Sequence, residues 1–585
     1  MEAETRNCQN CKKNFLIEAE DFDFYQKMKV PPPTFCPDCR YKRRAIWRNA
    51  RHLFRGKDYI TGKELFTGIP PQSGLSIYEQ EYWNSDKWDS LEYGIEYDFS
   101  TAFFKQFNQL FRSVPYPAKS MQRCINCDYS NMCDDMKNCY LCFNATFMED
   151  SAYCCNGSVL KNCFDLTSCY NSEFCYDNVR VDKSYHTIGS VNSESCVDVW
   201  FSKNCVGCTD CFGCVNLRNA KYFIFNKQFS KEEYFNALKL MNLGTWDGFY
   251  KAKIESQNFW EKFPIKYMLG FRNHDVLGED IKDSKNVKYS YIVQQGENLK
   301  YVQDVPFGGA SNSYDYTCWG VSASQIYECM IVGEQVDNMK FCFECWPVCQ
   351  ELEYCINMRR SKNCFGCVGM KDAQYCILNK KYSKEDYFEL VEKIKKHMDE
   401  MPYIDKRGNL YKYGEFFPVE LSHLAYNETL LNDQFPLDKE TVEKLGFIWH
   451  DINRKEYEVT ILTKDLPQII SETHEAVTKE IIECIDCKKA YRIILNEFNF
   501  LKNFNLPLPR NCVDCRFSQR QRFMVPPVLK FIECMCSGYK SSNSIYKNNQ
   551  KHTSHEGKCQ NTFQTAYNIE KEIIYCEKCY QSEVY

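Results

Sequence analysis

The chain has 585 residues, 44% of them hydrophobic and 37 of them cysteine, with a formal charge of −5 at pH 7. That length supports several buried cores, and the small net charge excludes a molecule-wide positive field for nucleic acid or membrane, leaving room only for a local basic patch. The first residues, MEAETRNCQNC, lack the apolar run of a signal peptide, and no stretch approaches the roughly eighteen apolar residues of a membrane span. A soluble cytoplasmic protein with reduced thiols is expected, not a disulfide scaffold.

In chain order, Cys8, Cys11, Cys36 and Cys39 open the sequence as C-x2-C-x24-C-x2-C. Four thiolates in two close pairs complete the tetrahedral shell of a structural zinc ion with one long loop to order. Pro37 suits the first position of a helix that carries the second pair, which is the treble-clef layout over residues 1–53. From Arg40 to Lys57 eight residues are basic and none acidic. Arg40, Arg43, Arg44, Arg48 and Arg51 fall on one helix face, which is a stripe for nucleic-acid phosphates, a solvated helix face or a dock for an acidic patch of the same protein. Residues 54–120 are an aromatic connector. Their aromatic density, from Tyr82 and Trp83 through Trp88, Tyr93, Tyr97 and Phe99 to Phe107, means buried packing or, as the functional alternative, a platform for bases, and a helix over Ser100 to Phe111 would set Phe103, Phe104 and Phe107 against the start of the central region.

The central region, residues 121–245 and 281–400 with a connector over 246–280, is a duplication. CFGCVNLRNAKYFIFNKQFSKEEYFNALKL, starting at Cys211, matches CFGCVGMKDAQYCILNKKYSKEDYFELVEK, starting at Cys364, at fifteen of thirty positions. Cys139, Cys163 and Cys211 are 24 and 48 residues apart, and Asn286, Asn312, Asn338 and Asn363 step by 26, 26 and 25, with similar units halfway between. Such a period predicts stacked coils, a parallel β-helix-like solenoid in two halves, with strands in a two-residue rhythm and the Asn of each KNC at a bend. Most central cysteines then fill a narrow core. Cys205, Cys208, Cys211 and Cys214 are superficially similar to an iron–sulfur loop, but the following Pro is missing and the second copy keeps only Cys364 and Cys367. Capping boxes at Ser230/Glu233 and Ser383/Asp386 start helices over Lys231 to Met241 and Lys384 to Met398 that plug the ends of the halves. The aromatic run NFWEKFPIKYM links them.

Residues 401–480 read as an extended linker over the core, with a short helix near Asp438 to Leu445. The treble-clef spacing returns over 481–525 at Cys484, Cys487, Cys512 and Cys515, with a less basic helix. Over 526–585, Cys534 and Cys536 with Cys576 and Cys579 suffice for a third zinc. Cys559 and His555 could replace one of them or belong to a second site. The whole is mainly β, a duplicated solenoid flanked by small α+β zinc modules, with about three Zn²⁺ per chain.

Both paired-cysteine modules resemble a zinc-ribbon family with a treble-clef-like pattern, carried here by CQNCKKNF, EDFDFYQK, PPPTF and CPDCRYKRR. More of the chain, through TGKELF, YEQEYWNSDKWDSLEYGIEYDFS, KNCYLCFN, CFGCVNLRN, GEFFPVELSHLAYNETL and IIYCEKCYQSEVY, resembles a group of uncharacterised cysteine-rich proteins from candidate-phyla (Patescibacteria-type) bacteria. The resemblance implies no activity; a CaiB/BaiF acyl-CoA transferase label on some members has no residue support here. Where those relatives have a cysteine before TGK, this chain has Asp58 and Tyr59. With no catalytic constellation, a non-enzymatic zinc-binding scaffold presenting its solenoid to protein or an extended polymer is expected, with nucleic-acid binding through Arg40 to Lys57 as the alternative.

Overall fold

In the computed structural model, residues 2–584 are described apart from 50, 452–456, 551, 553 and 554. Two β-solenoids fill the middle of the chain, and every strand-to-strand step between successive coils is parallel. Partners lie 12 residues apart in the first half, as Ser130 Oγ to Cys142 N illustrates, and 13 apart through part of the second, as in Ser313 Oγ to Ile326 N.

The interior repeats every third residue, not every second. Cys139, Cys142, Ala145, Met148, Ser151, Cys154, Gly157, Leu160 and Cys163 are all buried, and each follows a residue with a left-handed backbone, Asn138, Leu141, Asn144, Phe147, Asp150, Tyr153, Asn156, Val159 and Asn162. The expected two-residue alternation is therefore corrected. One left-handed residue in three bends the strand at each inward position, so a coil closes in 12 residues with four walls. C-x2-C in this region is the spacing of the walls.

This geometry sets the composition. Many inward residues direct their own N–H into the coil, where a side chain of the coil before accepts it. Ser151 Oγ takes the N–H of Cys163, Ser172 Oγ that of Ser184, Asn178 Oδ1 that of Ser190, and Cys169 Sγ that of Val181. The buried thiols in turn donate to carbonyls, Cys163 to Lys161 at 3.3 Å and Ser172 at 3.4 Å. Cysteine thus fills a narrow core and satisfies backbone groups that a purely apolar residue would leave orphaned. The KNC asparagines do sit at left-handed bends and stack, Asn126 donating to Asn138 and Asn138 to Asp150, each at 2.9 Å. Cys163→Ala should cost about 1–2 kcal/mol in denaturant unfolding and leave the metal content of the purified chain unchanged.

Each half ends alike. Asn226 and Asn379 turn the chain back on its last strand and grip the N–H and C=O of Val215 and Val368 respectively, at 2.8–2.9 Å. Ser230 and Ser383 then accept from the N–H of Glu233 and Asp386, starting the helices Lys231–Leu240 and Lys384–Glu400. Covering the last strand this way removes an open edge.

Two expectations about the connectors need correction. The helix Phe103–Ser113 lies on the second half, not on the start of the first: Phe103 meets Tyr354 and Phe365 with ring centroids 5.3 and 5.4 Å apart. Its phenylalanines, Phe103, Phe104, Phe107 and Phe111, are buried. The link between the halves includes a helix, Trp246–Trp260, which its composition did not reveal, followed by a strand that pairs with Ile573–Tyr575 of the C-terminal module. Among the described residues of 401–480, Tyr411, Tyr413, Phe416 and Phe417 are buried, and a helix at Lys439–Lys444 is capped by Asp438. No helix among the described residues is long and apolar enough to cross a membrane.

Candidate metal centres and the arginine sockets

The predicted ligands of the first two modules converge. Cys8, Cys11, Cys36 and Cys39 bring their sulfurs within 4.8 Å of one another, as do Cys484, Cys487, Cys512 and Cys515. In both, a short hairpin supplies the first pair and the first turn of a helix, Pro37–Ala45 or Val513–Gln521, supplies the second. The N–H of Cys36 donates to Cys8 Sγ and that of Cys512 to Cys484 Sγ, both at 3.2 Å. Backbone donors of this kind hold negative charge on sulfur, as a metal ligand requires. Burial pushes the Cys484 thiol up, but N–H groups of Cys512, Cys487 and Asp486 outweigh it and bring it to about 7.

The C-terminal module repeats the plan. Its hairpin pairs Lys530–Glu533 with Thr562–Thr565, its helix Glu577–Val584 carries the closing pair, and Cys576 N–H donates to Cys534 Sγ at 3.2 Å. The four sulfurs gathered here are those of Cys534, Cys559, Cys576 and Cys579, so Cys559 takes the place expected for Cys536. Cys536 faces a second group made with His552, His555 and Cys579. The sequence leaves His555 open as a spare ligand or a member of a second site, and it falls in that second group, whereas His552 is not among the expected ligands. The signal was present as H-x2-H ahead of Cys559, but it is the hairpin, by carrying Cys559 away from the histidines, that sorts the seven side chains into two groups.

A fourth knuckle carries no metal ligand. The hairpin Phe54–Lys57 with Glu64–Thr67 turns as the first module's does, and Asp58 stands where that turn has Cys8. Its carboxylate accepts from the N–H of Thr61 and Glu79 and from the Thr61 hydroxyl. Hydrogen bonds close this loop where cysteine sulfurs gather in the others.

Cys205, Cys208, Cys211 and Cys214 stand on the walls of one coil, fully buried, each thiol donating to the carbonyl two residues before it. They are not among the described groups that gather within ligand reach.

The basic stripe faces inward. Arg40, Arg43, Arg44 and Arg48 are at most 3% exposed, so none is open to a phosphate. Arg40 donates to Asp315 at 2.9 Å, Arg44 to Asp315 at 3.2 Å, and Arg43 to Glu328 at 2.8 Å and Glu415 at 2.7 Å. Arg51, half-buried, reaches Asp514 of the second module at 2.9 Å. Arg48 lines a cavity of about 100 Å³ between the halves, with Arg180, Glu279 and Asp304 also on its walls. Burial pushes Glu279 up to about 7 against the pull of Arg180.

The second module repeats the docking in the first half. Arg516 donates to Asp165 at 2.5 Å, and Arg520 to Asp165 at 2.8 Å and lies 3.7 Å from Asp177. Counting coils back from the matched glycines Gly213 and Gly366, Asp165 corresponds to Asp315 and Asp177 to Glu328, all four left-handed in backbone. The sockets are duplicated with the coils. They are also crossed: the N-terminal module docks on the second half and the later module on the first.

No family model matches the chain. No curated protein matches it either. Among solved structures it is similar to a protein named as an acetyltransferase from Desulfovibrio desulfuricans G20. The two are 10% identical over 49% of this chain and 86% of that one, with a TM-score of 0.10, which says nothing of what this chain does.

Proposed function

We propose that the chain is a non-enzymatic scaffold, stapled by zinc, that binds a protein or extended polymer along the outer wall of its first solenoid half. The observation that carries the reading is that wall. Ile125, Phe147, Val159, Tyr185 and Val197 are each at least 39% exposed, and they recur on one side of successive coils among the charged ladder Lys137, Glu149 and Lys161. Coils rise about 4.8 Å each, so the strip runs for roughly 30 Å, a length suited to an extended partner. Zinc is supported by ligand chemistry: groups of four thiol and imidazole side chains whose ligand atoms lie within 4.8 Å of one another suit it, and a filled four-ligand shell leaves no position for reactive water. Nucleic-acid binding through the basic helix loses its support, because its arginines are spent on Asp315, Glu328 and Glu415.

The test compares affinity capture on wild type, on Phe147→Asp/Val159→Asp, and on Phe271→Asp as a control on the other half, each checked for a native circular-dichroism spectrum. A partner retained by the control and lost by at least tenfold on the double variant is the expected result. A partner bound equally by all three would overturn the assignment of the wall. Salt-sensitive binding to generic DNA or RNA that Arg43→Glu/Arg44→Glu abolishes in a folded variant would overturn the reading itself.

A further inference from the structure

We propose that the C-terminal module holds two metal ions joined by the Cys579 thiolate, one in Cys534, Cys559, Cys576 and Cys579, the other in Cys536, His552, His555 and Cys579. This is independent of the scaffold reading, and it raises the expected content of the chain from three ions to four.

Each group of four places its ligand atoms within 4.8 Å of one another, and Cys579 belongs to both. In a tetrahedral shell with bonds of about 2.0–2.3 Å, ligand atoms lie roughly 3.3–3.8 Å apart. His552 Nδ1 is 3.3 Å from Cys536 Sγ, His555 Nε2 is 3.1 Å from Cys579 Sγ, and Cys559 and Cys576 are 3.9 Å apart.

The imidazoles are oriented from behind. Nδ1 of His555 lies 2.7 Å from the Gly557 carbonyl, which can only accept, so the proton sits on Nδ1 and the Nε2 lone pair faces Cys579. Nε2 of His552 lies 2.8 Å from the carboxylate of Glu583, and both side chains are fully buried. The proton on Nε2 leaves the Nδ1 lone pair facing Cys536. Opposite tautomers are thus fixed on two histidines whose free nitrogens turn to the same pair of thiols. A carboxylate or carbonyl behind a ligating histidine is the usual support of a metal site.

Cys536 is itself prepared. It is fully buried, and Asn548 donates to its sulfur at 3.4 Å while being held by the Gly538 carbonyl and the Tyr575 hydroxyl. One ion in the first group would leave this thiol and the two oriented imidazole lone pairs with no cation to bind. With two ions, five thiolates and two neutral imidazoles carry a net charge of about −1 against two divalent cations, and a shared thiolate is what lets seven ligands fill two shells of four.

The full-length chain, purified with zinc present, should carry four zinc ions by native mass spectrometry. His555→Ala should lose one, Cys559→Ser one and Cys579→Ser two. Because the cysteine variants could unfold the module, the deciding measurement uses the wild-type chain loaded with cadmium-113, in which a bridging sulfur produces scalar coupling between two cadmium resonances. Three ions per chain with His555→Ala unchanged, or four uncoupled cadmium resonances, would overturn the proposal.

Discussion

Asp315→Ala should cost roughly 3–5 kcal/mol, the penalty for stranding buried charge, and the damage should be local. Arg40 and Arg44 both end on this carboxylate, and all three side chains are buried. Hydrogen exchange should show the N-terminal module loosened from the second half, with the module at 481–525 still protected. Asp165→Ala should give the mirror result, because Arg516 and Arg520 end on it. If either substitution loosens both modules equally, the crossed sockets are not separate joints.

The second large effect is metal removal. Each small module has too little apolar area to fold alone, and a structural zinc supplies on the order of 10 kcal/mol. Chelation should melt residues 1–53, 481–525 and 526–585 together and free the arginines from their sockets. The β signal of the solenoid halves should persist, since their cores of Cys, Val, Leu and Ser hold no ion-binding group among the described residues. Cys36→Ala should reproduce the loss for the first module alone, with one metal fewer by mass. Loss of the central β signal on chelation would mean that the coil cysteines are ligands.

The sequence discloses the parts of this protein better than their assembly. Tetrads at C-x2-C-x24-C-x2-C, the duplicated CFGC segments and the serine caps are local features, and each is found where its spacing placed it. The coil rhythm is hidden in the sequence because strands normally alternate; a left-handed residue before every inward one is a backbone property, and bulky residues such as Phe147 and Tyr153 at those positions do not announce it. The direction of the arginine stripe was beyond reach for another reason. Helical periodicity puts Arg40, Arg43 and Arg44 on one face, but what that face meets depends on Asp315, Glu328 and Glu415, hundreds of residues away. In the third module, likewise, Cys536 and Cys559 compete for one place in sequence, and only the hairpin decides between them.

The crossed sockets give the two ends of the chain opposite histories during synthesis. Asp315 lies 275 residues beyond Arg40. At about 5–20 residues per second, the N-terminal helix waits some 15–55 s for its acidic partner to leave the ribosome. For all of that interval, a helix enclosed in the finished molecule is bare and strongly basic. The later module meets no such delay, because Asp165 precedes Arg516 by 351 residues and its socket is already built when the helix emerges. Two joints that are equivalent in geometry are thus unequal in time: the N-terminal one waits for Asp315, Glu328 and Glu415 and can close before Arg516 is made, whereas the later one can close as soon as its own helix appears.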